Sequence, residues 1–206
     1  MSSTTWFDIT KKIFLGVLLY SVANVLYSIF DPISSLTSFA SSADSFISGG
    51  SSKLSGIAAV FDILTYIFLI GIVVGYALFL LGLTNFSKIL EGSDRNAAES
   101  VRNGALVMII GAIVDVLISG FVGIILYIVG FILMMLGYSK LKNSPTFPEK
   151  ARNGASKLFT AMLLSLVGAI LWLIPIVGGF INAILGLIAF FFILSGWATI
   201  RDAEKQ

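Results

Sequence analysis

Long stretches without a single charge alternate with short polar segments along this chain. Three uncharged segments of bilayer length are Leu64 to Leu83, Val116 to Ser139 and Leu158 to Ile200, which contain 20, 24 and 43 residues. A helix needs about 20 apolar residues to cross a hydrocarbon core about 30 Å thick. The pattern therefore predicts membrane-spanning helices, and the last stretch has room for two.

An earlier apolar stretch covers residues 13–30 and follows Lys11 and Lys12. At 18 residues it is too long for a cleaved signal region, which has about 7–15 apolar residues, so we expect a retained helix. We expect Pro32 to end this helix, because proline lacks the N–H that continues the helical hydrogen bonds. Residues 34–53 are rich in serine and glycine, which predicts an external loop, either irregular or carrying a short amphipathic helix on the membrane surface.

The rest of the chain contains an internal repeat. Its three units cover residues 54–90, 101–142 and 151–202, and the second and third open identically with Arg102-Asn103-Gly104-Ala105 and Arg152-Asn153-Gly154-Ala155. The third unit is long enough for two helices that turn near its Pro-Gly-Gly segment at 175–179, and the second predicts a tighter hairpin that turns at residues 119–120. The first unit is either one helix or a hairpin.

Basic residues decide between the topologies. If the first unit is one helix, over about residues 64–83, then twelve of the thirteen basic residues lie on one side of the membrane and only Lys53 lies opposite, as the positive-inside rule favours. We therefore predict an all-α fold, a polytopic transmembrane helical bundle of about six helices (five to seven) that forms a single membrane domain over residues 1–206. The expected location is the plasma or inner membrane of the cell, with both termini cytoplasmic.

Small residues recur at intervals of seven within the apolar stretches. Positions seven apart lie on nearly one face of a helix, and small residues let helix backbones approach closely in lipid. We expect these positions to hold the helices of each unit together; the alternative is that glycine is simply frequent in membrane helices. The packing candidates are Gly75, Gly82, Gly123, Gly130, Gly137, Gly168, Gly186 and Gly196.

Two of the hairpins end in an apolar Gly-x-x-x-hydrophobic segment and a basic stretch, at Gly137 and at Gly196. In this respect residues 53–202 resemble uncharacterised families of small prokaryotic polytopic membrane proteins with Gly-rich helical-hairpin repeats. The resemblance implies a membrane location and brings no activity or substrate with it.

Composition removes several kinds of chemistry. Hydrophobic residues make up 57% of the chain and charged residues 12%, against about 25% charged in soluble domains. Cysteine and histidine are both absent, so we expect no disulfide, no thiolate or imidazole catalyst and none of the usual zinc, haem or iron–sulfur ligand sets. The net charge of +2 is too small to indicate nucleic-acid binding. No catalytic residue, cofactor or metal is expected.

Two carboxylates, Asp62 and Asp115, interrupt the apolar stretches at matching positions of the first two repeat units. An acid at mid-bilayer costs about 2.5–3.5 kcal/mol, so one hypothesis makes the pair a proton or cation site. The other places both carboxylates near a turn or helix end, where they reach water or a helix N-terminus, with Lys53 as a further partner for Asp62.

Polar residues between the apolar stretches suggest contacts at the membrane surface. Ser93 or Asp94 is the expected cap of the helix that opens the second unit. Tyr138 and Trp197 are expected either at the membrane interface or as core aromatics. The candidates for anionic-lipid headgroup contacts are Arg102, Arg152, Lys140 and Lys142, with ordinary topology charge as the alternative.

For function, we expect a non-enzymatic integral membrane protein that acts as an accessory subunit or oligomeric scaffold, with membrane lipids and other subunits or copies of itself as partners. The alternative is a small ion- or proton-coupled transporter or channel that uses Asp62 and Asp115. An intramembrane hydrolase is a third, weaker possibility, since no nucleophile–base pair is recognisable.

Overall fold

Six helices make up the computed structural model, which describes residues 3–48, 55–118, 120–171, 173–174 and 177–203. No strand occurs in these ranges. Every helix contains a window long and apolar enough to cross a membrane, which confirms the prediction of an all-α, polytopic bundle of six transmembrane helices. The helices are α1 (Ser3–Ser48), α2 (Ser55–Ile89), α3 (Gly92–Leu117), α4 (Gly120–Asn143), α5 (Glu149–Leu171) and α6 (Val177–Arg201).

The first helix does not end where the sequence predicted. α1 continues through Pro32 to Ser48, so the prediction that Pro32 ends it is wrong, and most of the expected serine-rich loop is helical. Proline is tolerated inside helices where the surroundings compensate for the lost hydrogen bond. In the serine-rich part, hydroxyl groups find hydrogen-bond acceptors within the helix itself. Thr37 and Ser42 each donate a hydrogen bond of 2.9 Å to the carbonyl four residues earlier.

The three segments predicted as repeat units have the predicted numbers of helices. The first unit is one helix, α2, and the second and third are the hairpins α3–α4 and α5–α6. α3 ends at Leu117 and α4 begins at Gly120, whereas Ser119 of the first predicted turn and Pro175 of the second lie outside the described residues. Gly179, which was expected in that turn, lies inside α6.

Helix length separates the first two helices from the others. At 46 and 35 residues, α1 and α2 measure about 69 and 52 Å, whereas α3 to α6 have 23 to 26 residues. Because the hydrocarbon core is about 30 Å thick, parts of α1 and α2 extend beyond it. The chain divides into two compact units, Gly16–Ala77 and Met1–Leu15 with Leu78–Gln206.

The most buried side chains of the larger unit lie at one end of its helices, which we call the basic end because Lys88, Lys140, Lys142, Arg152 and Arg201 are located there. Trp6, Phe86, Phe147 and Trp197 are fully buried. Their rings meet edge-on or tilted at centroid distances of 5.4 to 6.3 Å, as aromatic pairs prefer. Trp6 also donates its indole N–H to the Ile200 carbonyl oxygen at 2.9 Å.

This aromatic cluster decides between the two expectations for Tyr138 and Trp197. Only 3% and 1% of their surfaces are exposed, and their rings contact each other at 6.3 Å. Both are therefore core aromatics and not lipid-facing anchors.

Candidate functional site

Glycines bring α3 and α4 into backbone contact. A Cβ atom placed on Gly104 would lie 2.5 Å from the Gly130 carbonyl oxygen, and one placed on Gly130 would lie 2.5 Å from the Gly104 oxygen. Gly111 and Gly123 face each other in the same way, at 2.9 and 2.8 Å. Since an ordinary contact begins at about 3.4 Å, no larger residue fits these positions without separating the helices.

The next contact along the α3–α4 hairpin pairs Gly137 with the first turns of α3. A Cβ on Gly137 would lie 2.7 Å from the Ala97 carbonyl oxygen and 2.5 Å from a methyl group of Val101. The α3–α4 contacts therefore recur every seven residues on both helices, as expected when two small-residue faces pack antiparallel.

The α5–α6 hairpin uses the same geometry with different residues. Gly154 and Gly196 face each other, each within 3.0 Å of the other's carbonyl oxygen for an added Cβ. Seven residues closer to the hairpin turn on each helix, the buried Ala161 and Ala189 replace glycine. Gly168, seven residues beyond Ala161, faces a side chain and not a backbone, because a Cβ there would lie 2.5 Å from the Asn182 Oδ1 atom.

Close backbone contacts also join α1 to α2. A Cβ on Gly75 would collide with the backbone nitrogen of Tyr20 and lie 2.8 Å from its Cα atom. Further along α2, a Cβ on Gly82 would lie 3.1 Å from the backbone nitrogen of Ile13. The first helix, which lies outside the three repeat units, thus supplies the helix that packs against α2.

Gly186 does not follow the other packing candidates. It is exposed, and a Cβ added there would meet nothing within 4 Å, so it packs against no helix in the described part of the chain. Gly179, seven residues earlier on α6, is equally open. A spacing of seven determines which glycines share a helix face, but it does not determine which face meets a partner helix. On α6 the partner helix α5 covers the face with Ala189 and Gly196, and Gly186 is therefore left open.

The two candidate ion-binding carboxylates belong to different compact units. Asp62 is half-buried and accepts a hydrogen bond from the Ser34 hydroxyl group. The uncharged stretch after it, Ile63 to Ser87, has 25 residues, more than the about 20 that span a bilayer. Asp62 is therefore at the end of an apolar stretch and not at its middle.

Asp115 lies at the turn of the α3–α4 hairpin and is exposed. Its Oδ1 atom would be 3.2 Å from a Cβ on Gly120, the first residue of α4. A carboxylate beside a helix N-terminus is favoured by the partial positive charge there. The Lys53 partner proposed for Asp62 lies outside the described residues.

A polar cavity of about 390 Å³ lies where α4 ends and α5 begins, and it contains two of the four headgroup candidates, Lys142 and Arg152. The Lys142 ammonium group lies 3.8 Å from the ring centroid of Phe159, a cation–π distance. The Arg152 Nε atom is buried and has no hydrogen-bond partner among the described residues. The other lining residues are Asn143, Glu149, Asn153 and Ser156.

A second cavity, of about 350 Å³, adjoins the start of α3, and we call it the Asp94 cavity. Only 5% of Asp94 is exposed. Its Oδ2 atom accepts a hydrogen bond of 2.8 Å from the Thr146 hydroxyl group, whereas its Oδ1 atom is buried with no partner among the described residues. The cavity is lined by Ser93, Asp94, Ser139, Lys140, Asn143, Ser144 and Pro145.

Sequence reasoning assigned Asp94 the wrong role. α3 begins at Gly92 with Glu91 at the N-cap position, and no side-chain hydrogen bond caps it; Asp94 lies within the first turn and bonds to the loop between α4 and α5. An acid in the first turn of a helix is an ordinary feature. Because Thr146 is 52 residues away, no local pattern could reveal the contact.

Two further arginines of the basic end have local partners. Arg102, the fourth headgroup candidate, donates two hydrogen bonds of 3.1 and 2.9 Å to the neighbouring Asn103 Oδ1 atom and lines neither cavity. Arg201 donates to the Asp202 carboxylate at 2.7 Å. This hydrogen bond, helped by the charges of Arg201 and Lys150, lowers the pKa of Asp202 below its ordinary value.

The sites of the basic end thus combine positive charge, a buried carboxylate, one polar cavity and the Asp94 cavity, while the apolar parts of the helices provide close backbone packing. Comparison of the chain with protein-family models, with curated proteins and with solved structures finds no match.

Proposed function

We propose that this protein is a non-enzymatic membrane subunit that assembles laterally with further copies of itself as an oligomeric scaffold. The observation that carries the proposal is an unoccupied small-residue face on α6, formed by Gly179, Ala183 and Gly186. All three are exposed, and both glycines have open space where a Cβ would be. Small residues spaced in this way are the usual contact surface between membrane helices, and the same face on a second copy is complementary to it.

The closed interior of the hairpins favours a scaffold over a transporter. Where Gly104 meets Gly130, and where Gly154 meets Gly196, the backbones are in direct contact. Transport needs polar groups along a path through the membrane, and these contacts leave no room for one between the paired helices. The carboxylates suited to ion coupling, Asp62 and Asp115, lie at the ends of apolar stretches.

The membrane and orientation belong to the same proposal. The basic end carries most of the positive charge, and the positive-inside rule places such an end in the cytoplasm. We accordingly place the protein in the plasma or inner membrane with both termini cytoplasmic, and its partners are membrane lipids and copies of the same chain.

The mass of the protein–detergent particle, corrected for bound detergent, tests the proposal. The wild-type chain of 22.1 kDa is expected as a dimer or larger multiple. Gly186→Leu should shift it to the monomer, since the new side chain fills the α6 small-residue face. Gly56→Leu is the matched control, because Gly56 is also an exposed helical glycine with nothing within 4 Å, and it should leave the mass unchanged.

Cysteine crosslinking in the native membrane gives an independent reading. The chain contains no cysteine, so a single introduced one reports its own surroundings. Ala183→Cys should form a disulfide-linked dimer, and Ile188→Cys, on another side of α6, should not. A monomeric wild type whose proton flux in liposomes is abolished by Asp62→Asn or Asp115→Asn would replace the scaffold with a transporter.

A further inference from the structure

The Asp94 cavity contains a buried negative charge with unused bonding capacity. A carboxylate oxygen buried without a hydrogen-bond donor is expensive, since burial removes its water. The Oδ2 atom has the Thr146 hydroxyl group, but Oδ1 has no donor among the described residues although Asp94 lines the cavity. The bottom of the cavity is therefore suited to a cationic hydrogen-bond donor.

The opening of the same cavity carries the opposite charge. Lys140 lines the cavity but is exposed, and no salt bridge joins it to Asp94 among the described residues. The hydroxyl groups of Ser93 and Ser139 and the amide of Asn143 add neutral donors and acceptors. A ligand that matches this arrangement has an ammonium group for Asp94 and an anionic group for Lys140.

These charges point to a zwitterion and not to a metal ion. The cavity offers one carboxylate, whereas Ca²⁺ and Mg²⁺ need several oxygen ligands, and a metal ion would leave the positive charge of Lys140 without an anionic partner. The volume of about 350 Å³ falls in the range of small-molecule sites, about 300–1,000 Å³. We propose that the Asp94 cavity binds the headgroup of a zwitterionic phospholipid with a primary ammonium group, the ammonium on Asp94 and the phosphate on Lys140.

The hydrogen-bonding requirement selects a primary amine. The Asp94 Oδ1 atom lacks a donor, and a primary ammonium group brings three N–H donors. The quaternary ammonium group of choline has none, so phosphatidylcholine would leave Oδ1 unsatisfied. Phosphatidylglycerol has the phosphate but no cation. The cavity should therefore prefer phosphatidylethanolamine to both.

A lipid is favoured over a soluble compound with the same headgroup by the surface of α4 next to Lys140. Leu136, Val129, Ile125 and Val122 follow Lys140 on one side of this helix, and between 44% and 46% of each is exposed. They form an apolar surface that runs from the opening of the cavity along the membrane span. Acyl chains that lie on this surface add apolar contact that free phosphoethanolamine cannot provide.

Lipid retention tests the proposal on the full chain. The protein is reconstituted into bilayers with equal amounts of phosphatidylethanolamine, phosphatidylcholine and phosphatidylglycerol of identical acyl chains, then extracted in mild detergent, and retained lipid is measured by native mass spectrometry. Wild type should retain phosphatidylethanolamine about tenfold over phosphatidylcholine, the discrimination given by a hydrogen bond between charged groups. Asp94→Asn should reduce this ratio to about one.

A second variant separates the two halves of the site. Lys140→Gln, at an exposed position that leaves the fold intact, should reduce retention of phosphatidylethanolamine while the ratio over phosphatidylcholine stays above one, because both lipids share the phosphate. The matched controls, Glu99→Gln on α3 and Lys150→Gln on α5, line neither cavity and should retain the wild-type ratio.

Three results would overturn the proposal. The first is equal retention of the three lipids by wild type, and the second is an Asp94→Asn ratio as high as that of Glu99→Gln. The third is a soluble ligand in place of the lipid. Phosphoethanolamine that binds as tightly as the lipid would show this. So would sodium or potassium that stabilises wild type but not Asp94→Asn, in a protein with no lipid preference.

Discussion

The contact between Gly104 and Gly130 makes the helix packing directly testable. In Gly130→Ala, the new Cβ atom would lie 2.5 Å from the Gly104 oxygen, 2.6 Å from a side-chain carbon of Met108 and 2.8 Å from the Met108 nitrogen. The Met108 side chain can move aside, but the two backbone atoms cannot. The helices must therefore separate by about 1 Å to reach ordinary contact distance.

The size of the effect follows from two opposing terms. Overpacking of this kind costs about 1–3 kcal/mol, and the upper end applies because backbone atoms are the obstacle. Replacing glycine by alanine in a helix gains at most about 1 kcal/mol. Gly130→Ala should therefore lower the free energy of unfolding by about 2 kcal/mol. Gly56→Ala, with nothing within 4 Å, should be neutral or stabilising by up to about 1 kcal/mol.

The assay is an SDS titration of the purified protein in micelles, in which loss of tertiary structure is followed by near-UV circular dichroism. Gly56→Ala, outside the α6 small-residue face, is the control for the effect of alanine itself. The double variant Gly104→Ala/Gly130→Ala adds a check. Once the first substitution has separated the helices, the second meets less obstruction. The loss of unfolding free energy in the double variant should therefore be smaller than the sum of the losses in the two single variants. If Gly130→Ala and Gly56→Ala shift the midpoint equally, the close approach of α3 and α4 does not exist.

Four further substitutions probe the other contacts, each measured by the same titration. Trp6→Phe removes the indole hydrogen bond to the Ile200 carbonyl oxygen and should lower stability by about 1–2 kcal/mol; no change would show that this bond contributes nothing. Gly154→Ala should cost about 2 kcal/mol and Gly168→Ala less than about 1 kcal/mol, since the first meets backbone and the second only the end of a side chain; the reverse order would contradict this. Lys157→Met breaks two hydrogen bonds of 2.9 and 3.0 Å to hydroxyl groups of α6 and should cost about 1 kcal/mol, whereas an unchanged midpoint would mean that water replaces both bonds.

Periodicity and charge were enough to predict the helices. Uncharged stretches of bilayer length and the distribution of basic residues gave six helices and two hairpins, because the requirement that backbone groups bond internally in lipid leaves a helix as the only solution for such a segment. The same local information misplaced the end of the first helix at Pro32. In the structure α1 continues to Ser48, because a proline removes one helical hydrogen bond and can still be accommodated inside a helix.

The sequence by itself determined which residues share a helix face, because a spacing of seven is a property of one helix. It did not determine what each face meets. Gly104 and Gly154 occupy the same position of identical Arg-Asn-Gly-Ala motifs. Gly154 faces Gly196, the residue that corresponds to Gly137, whereas Gly104 faces Gly130, seven residues before Gly137. The register of a hairpin depends on how far its turn lies from the glycines on both helices, and α3 has 13 residues after its motif glycine where α5 has 17. Only the tertiary structure could also bring Asp94 to Thr146 and leave Gly186 open, because these results depend on which helices become neighbours.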